Sequence, residues 1–127
     1  MTAAAVKRTL ERLGEGLSNG DVDAITSCWE VPMMVLSDWG VMPVTDMAEI
    51  TAFFMQALTA YAAQGLTSTR PEIELIEQLS DRLYQATVRW PAYDAQGNER
   101  RSEWTHYVLR IGDDGQPRIR VALTLAN

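Results

Sequence analysis

The sequence predicts a single α+β domain, over residues 1–127, in which three N-terminal helices pack on a mostly antiparallel sheet. Apolar residues recur at helical spacing in the first half of the chain, and from Pro71 onward they alternate with a period of two. With 127 residues, 46% of them apolar, the chain can bury one core. An alternating sheet has one apolar face, and the amphipathic helices are available to cover it.

The first two helices are predicted by spacing and by end signals. Apolar residues at positions 6, 10, 13 and 17 form one helix face, and Asn19-Gly20 ends that helix. Asp21 is placed to cap a short second helix by accepting amide hydrogens of its first turn. We expect Pro32 to end this second helix, with its buried side formed by Val22, Ile25 and Cys28 or Trp29.

The third helix has the strongest pattern in the chain. Asp46-x-x-Glu49 resembles a capping box, and Gly65 provides the stop. Between them, apolar residues fall at i, i+3, i+4, i+7, i+8 and i+11. We expect this face to be buried; its members are Ile50, Phe53, Phe54, Ala57, Leu58 and Tyr61.

Strands are predicted on both sides of the third helix. Residues 33–36 and 41–44 form a small hairpin around a Ser-Asp-Trp-Gly turn. In the second half, residues 94–98 and 113–115 have turn composition, which predicts an antiparallel meander of three long strands. The expected apolar faces are Ile73, Leu75 and Leu79; then Tyr84, Ala86, Val88 and Trp90; then Ile119, Val121, Leu123 and Leu125.

Composition argues against several classes of function. A net charge of −6 is unlike the basic excess of nucleic-acid binders, and the sequence has no apolar run near the roughly 20 residues that a membrane span needs. A secretion signal is not expected, because Lys7 and Arg8 follow the short apolar stretch at the N-terminus. One cysteine, Cys28, and one histidine, His106, exclude a zinc site of cysteine and histidine ligands within one chain. The unpaired thiol suits a reducing compartment, so we expect a cytoplasmic protein. No motif supports a metal bound by carboxylates alone, which the residue counts leave open, and we expect neither a metal nor a cofactor.

The polar face of the predicted sheet has a distinctive composition. Alternation places arginines beside Trp104, His106 and Val108, on the side of the sheet away from the helices. Tryptophan and arginine are enriched at protein interfaces, so we expect a homodimer through this face. The arginines concerned are Arg89, Arg110, Arg118 and Arg120.

The order of elements, with Gly20-Asp-Val-Asp-Ala24 between the first two helices and Tyr107-Val-Leu-Arg-Ile-Gly-Asp-Asp-Gly115 near the end, resembles the nuclear transport factor 2-like superfamily. This superfamily includes the ketosteroid isomerases and polyketide cyclase-like proteins. The resemblance implies a cone-shaped, cystatin-like fold: a curved sheet wrapped on a long helix, a pocket at the wide end, and commonly a dimer through the sheet. It implies little about chemistry, because this fold hosts enzymes, binders and interaction modules alike.

The resemblance to ketosteroid isomerases also suggests catalytic positions. Those enzymes use an aspartate base, a tyrosine donor and a protonated aspartate donor. Alignment places the base at Asp38 and the late-strand donor at Tyr107, whereas the helix tyrosine falls at Leu13, which donates nothing. Each missing oxyanion donor costs about 2.7 to 4 kcal/mol, so efficient steroid isomerisation is not expected. Asp38 is equally explained as a turn residue, and Tyr107 as a tyrosine that lines a pocket.

Three hypotheses follow. The first is a cofactor-independent isomerase, dehydratase or cyclase, with Asp38 and Tyr107 as catalytic groups and a small apolar or aromatic substrate. The second is a non-catalytic domain that binds such a compound, and the third is an interaction module with a packed interior. A buried Asp38 would favour the first and an exposed one the second. The candidate ligand contacts, which are otherwise core residues, are Trp29, Phe54, Tyr61 and Trp90.

Overall fold

The computed structural model describes residues 3–125, which form three helices and seven strands. The helices are α1 (Ala3–Asn19), α2 (Val22–Thr26) and α3 (Met47–Ala63). The strands are β1 (Trp29–Ser37), β2 (Gly40–Val44), β3 (Leu66–Thr69), β4 (Glu72–Gln78), β5 (Leu83–Asp94), β6 (Glu99–Ile111) and β7 (Pro117–Leu125).

The seven strands form one sheet in the order β2-β1-β7-β6-β5-β3, and β4 also pairs with β5. All pairs are antiparallel except β1 with β7. The first part of β5 pairs with β4 and its last part with β3, so this strand joins two portions of a curved sheet. The predicted α+β class with a mostly antiparallel sheet is confirmed.

Helix α1 packs its apolar face against the inner side of the sheet, as its spacing predicts. Val6, Leu10 and Leu13 are buried within the core. At the end of the helix, the Ser18 hydroxyl donates to the Thr69 carbonyl and accepts from the Thr69 amide, both at 2.9 Å. This pair of bonds fixes the end of α1 to β3, beside the candidate site.

Helix α3 is far less buried than its pattern predicts. Asp46 caps it as expected, accepting a hydrogen bond from the Ala48 amide at 2.9 Å. However, Ile50 is the only buried residue of the helix, and the Phe53 side chain is 56% exposed. The helix contacts α2, β2 and β3, and it covers an open space where close packing was expected.

Two predicted boundaries differ from the structure. Helix α2 ends at Thr26, and β1 begins at Trp29, so Pro32 lies inside a strand and does not end a helix. The cause is pairing: Trp29 already lies opposite Ile119 of β7, which holds the chain extended. Strand β3 has no counterpart among the predicted elements.

Irregular pairing also changes which side chains face inward. A register shift between Ile73 and Leu75 turns Leu75 outward, where it is 43% exposed. A second shift, between the pairs at Val108 and Leu109, leaves Ile119 and Ala122 buried inside. The predicted common faces are therefore wrong for Leu75, Val121, Leu123 and Leu125. Among residues 3–125, no helix is long and apolar enough to cross a membrane.

Candidate functional site

A cavity of about 180 Å³ lies between the helices and the inner face of the sheet. Its apolar wall includes Leu13 of α1, Trp29 and Val35 of β1, and Phe54 of α3. The cavity exists because α3 spans from β2 to β3 and leaves this part of the sheet uncovered. The apolar residues of α3 therefore face a space that a small compound could occupy.

Tyr107 and Trp90 form the polar part of the buried wall. The Trp90 indole Nε1 donates a hydrogen bond of 2.9 Å to the Tyr107 hydroxyl oxygen, and both side chains are buried. Burial raises the pKa of Tyr107 well above its ordinary value, so the phenol is neutral at physiological pH. The Tyr107 oxygen accepts from Trp90, and the Thr105 side chain also hydrogen-bonds with Tyr107, so the phenol proton is shared between Thr105 and any acceptor that enters the cavity.

Trp29 also belongs to the aromatic wall of the cavity. Its ring centre lies 5.5 Å from that of Phe54 and 6.2 Å from that of Tyr107. Within residues 3–125, the indole N–H of Trp29 is buried and has no hydrogen-bond acceptor. A donor left unpaired in the core costs free energy, so Trp29 is held here by its aromatic packing on Phe54 and Tyr107.

Charged side chains lie where β6 approaches the end of α3. Arg101 donates to Glu103 Oε1 at 2.6 Å and to Gln64 Oε1 at 3.1 Å, which links β6 to the C-terminal end of α3. The Tyr61 pKa is raised, chiefly by burial and further by the nearby Glu103 carboxylate. The sequence contained a signal for this cluster, because Arg101, Glu103 and Tyr107 share one face of a strand with period two.

A second space, a groove of about 300 Å³, adjoins the cavity between α3 and the β1–β2 hairpin. Its lining is mostly apolar and includes Met33, Met42, Val44 and Ile50. Four side chains line both spaces: Trp29, Val35, Phe53 and Phe54.

The structure brings most of the predicted site residues together. Tyr107 and the four predicted ligand contacts line the cavity; the latter are Trp29, Phe54, Tyr61 and Trp90. Leu13, at the position that resembles the helix tyrosine, also lines it. Their part in binding stays a prediction.

Asp38 lies elsewhere. It is exposed in the turn between β1 and β2, and it does not line the cavity. Ser37 pairs directly with Gly40, so the two residues of the turn project beyond the last bonded pair of the hairpin. Trp39, the other residue of this turn, is 97% exposed. The expected meeting of Asp38 and Tyr107 in one cavity is therefore not found.

Solved structures share this fold. An NTF-2-like protein of unknown function from Shewanella oneidensis MR-1 has a TM-score of 0.80 at 17% identity, with 99% of this chain and 100% of that chain covered. A domain of unknown function with a cystatin-like fold from Nostoc punctiforme PCC 73102 has a TM-score of 0.79 at 17% identity, with 98% of this chain and 76% of that chain covered. A ketosteroid isomerase-like protein from Erwinia carotovora atroseptica SCRI1043 has a TM-score of 0.71 at 12% identity, with 96% of this chain and 93% of that chain covered.

At such low identity these likenesses establish the fold and leave the chemistry open. No curated protein matches the sequence. The family described as NTF2-like protein (DUF6841) matches residues 4–127, nearly the whole chain. This match establishes that the chain belongs to the NTF2-like family DUF6841, in agreement with its three helices and curved sheet.

Proposed function

We propose that this chain binds a small, mainly apolar compound that carries a hydrogen-bond acceptor, without transforming it. The observation that carries the proposal is Tyr107, which lines a mainly apolar cavity and whose hydroxyl is oriented by hydrogen bonds with Trp90 and Thr105. A buried phenol held in this way presents a well-directed polar group to a ligand. Ligand pockets commonly combine apolar walls with a few such polar groups.

The size of the cavity favours a compound with a single ring. Its volume is about 180 Å³. An engineered apolar cavity of about 150 Å³ is known to bind benzene. The aromatic side chains of Trp29, Phe54 and Trp90 around it suit a flat apolar partner.

The position of the carboxylates supports binding over proton transfer. Asp38 is exposed on its turn, apart from the cavity. The cavity-lining carboxylate, Glu103, is bound by Arg101 at 2.6 Å, and its side chain is 43% exposed. A general base must reach the proton that it removes, and Asp38 lies outside the cavity while Glu103 is already engaged by Arg101.

Two matched probes test the proposal by calorimetric titration. Acetophenone carries a carbonyl acceptor, and ethylbenzene has nearly the same shape without one. We expect wild-type protein to bind acetophenone more tightly, and Tyr107→Phe to weaken acetophenone binding about twofold to tenfold, the value of one hydrogen bond. Ethylbenzene affinity should not change in this variant.

Tyr84→Phe is the matched control, because Tyr84 is a buried tyrosine on the same face of β5 as Trp90 but does not line the cavity. It should leave both affinities unchanged. The proposal is wrong if neither probe binds, or if Tyr107→Phe weakens both probes equally. Asp38→Asn should bind acetophenone with wild-type affinity. A loss of affinity of more than about threefold would show that Asp38 contributes to the binding site.

A further inference from the structure

We propose that the cavity and the adjoining groove form one elongated site. It takes an amphipathic compound, whose polar group lies in the cavity beside Tyr107 and whose unbranched hydrocarbon tail lies in the groove between α3 and the β1–β2 hairpin. This inference rests on the proposed binding function and extends it to a class of ligand.

The first argument is that the two spaces share a wall of side chains. Trp29, Val35, Phe53 and Phe54 line both of them. The Phe54 ring stands 5.5 Å from Trp29 and 5.1 Å from Phe53, centre to centre. The partition is therefore made of side chains that belong to both spaces, and a change of rotamer at these side chains is the movement that joins them in our proposal.

The second argument is that this partition is loosely held. Phe54 is only half-buried, and Phe53 is 56% exposed. Both lie on α3, where only Ile50 is buried. An exposed side chain loses little dispersion energy when it moves, so the passage opens at low cost on the side of Phe53, while Phe54 stays packed on Trp29 and the core.

The third argument concerns dimensions. Ile50 lines the groove, and Tyr61 lines the cavity, eleven positions further along α3. At 1.5 Å per helical residue, the combined site is about 16 Å long. A single ring would fill only part of this length, and the volumes of cavity and groove together fall in the range of ordinary ligand pockets, roughly 300 to 1,000 Å³.

The fourth argument is the change of polarity along the site. Arg101 and Glu103 lie at one end, beside Tyr61. The other end is mostly apolar, although Glu49 and Gln56 also line it. It includes Met33 and Met42, whose flexible side chains adapt to varied shapes. This gradient matches a compound that is polar at one end and a plain hydrocarbon at the other.

Two alkyl phenyl ketones test the inference by calorimetric titration. Acetophenone and hexanophenone share the ring and the carbonyl, and hexanophenone adds four methylenes. The blocking variant is Ala52→Trp, because Ala52 is exposed and lines the groove but not the cavity. The control is Ala60→Trp, an exposed position of the same helix that lines neither space.

We expect wild-type protein and Ala60→Trp to bind hexanophenone at least about tenfold more tightly than acetophenone, since each fully buried methylene contributes about fourfold. Ala52→Trp should abolish this gain and keep wild-type affinity for acetophenone. The inference is overturned, with the proposed function intact, if acetophenone binds but the longer tail adds nothing, or if the gain survives in Ala52→Trp. If neither ketone binds, the proposed function fails, and this inference fails with it.

Discussion

Trp90 and Tyr107 are joined by a hydrogen bond of 2.9 Å although they are not direct partners across β5 and β6. The direct partner of Tyr107 is Ala86, and that of Trp90 is Glu103. The two large side chains therefore lean toward each other along the strands. One bond fixes the orientation of both, which orients the donor of the cavity before any ligand binds.

Removing the Tyr107 hydroxyl should destabilise the fold as well as weaken binding. Tyr107→Phe leaves the buried Trp90 N–H without its acceptor, and an unpaired buried donor costs about 1 to 3 kcal/mol of unfolding free energy. Urea denaturation at neutral pH measures this change. Tyr84→Phe should cost less, and the hydrogen bond is unimportant for stability if Tyr107→Phe loses no more than Tyr84→Phe.

The same residue should make stability depend on alkaline pH. Burial raises the pKa of Tyr107 in the folded state, while the unfolded residue titrates near 10. The folded form keeps its proton longer, so the stabilising effect is complete below about pH 10 and is lost as the pH rises further. From about pH 9 to 11, wild-type protein should lose about 1.4 kcal/mol more than Tyr107→Phe does. Equal losses in urea titrations at the two pH values would contradict the shift.

Periodicity alone predicted much of the site. Spacing along α1 places Leu13 on the inner face, and alternation places Trp90 and Tyr107 there, because both periods follow from backbone geometry. All three line the cavity. Trp90 and Tyr107 both lie in the uninterrupted part of the β5–β6 pairing, so the local pattern and the final structure agree.

Sequence periodicity mispredicts the direction of a side chain where pairing with a neighbouring strand determines it. The shift between Ile73 and Leu75 depends on pairing with β5, and no local feature of β4 reveals it. Likewise, the apolar face of α3 predicts contact with something apolar but does not distinguish a packed core from a cavity. Phe53 illustrates this, since it lines both spaces and is still 56% exposed. The position of Asp38 was missed for a related reason, because alignment gives no measure of how far a turn projects.

Close packing of α1 explains a glycine inside the helix. A Cβ on Gly14 would lie 2.9 Å from Pro71 Cδ and 3.3 Å from Trp90 Cζ3. Alanine normally stabilises a helix by about 1 kcal/mol relative to glycine, whereas overpacking costs about 1 to 3 kcal/mol. We therefore expect Gly14→Ala to lower the melting temperature, while Glu15→Ala, at an exposed position beside it, should not. A melting temperature above that of wild-type protein would mean that Pro71 moves away from the new methyl group at little energetic cost.

The outer face of the β6–β7 pair carries apolar and aromatic side chains around His106, which hydrogen-bonds with Thr87 and Gln85. In the β6–β7 pair, Trp104 lies opposite Leu125, His106 opposite Leu123, and Val108 opposite Val121. Arginines lie around this band of six residues. Among them, Arg89 forms an ion pair with Glu72, and Arg118 forms one with Asp114. An apolar and aromatic centre with charged groups around it is typical of protein interfaces. We propose that a second copy of the chain covers this face.

The proposed dimer gives a direct prediction for mass measurements. Leu123 is half-buried in the band, so Leu123→Arg would place an unpaired charge inside the interface, which costs far more there than in water. We expect light scattering after size-exclusion chromatography to give a dimer for wild-type protein and a monomer for Leu123→Arg. Thr59→Arg adds the same charge on the exposed side of α3 and should remain dimeric. A monomeric wild-type protein, or a Leu123→Arg variant that stays dimeric, would exclude this face as the contact.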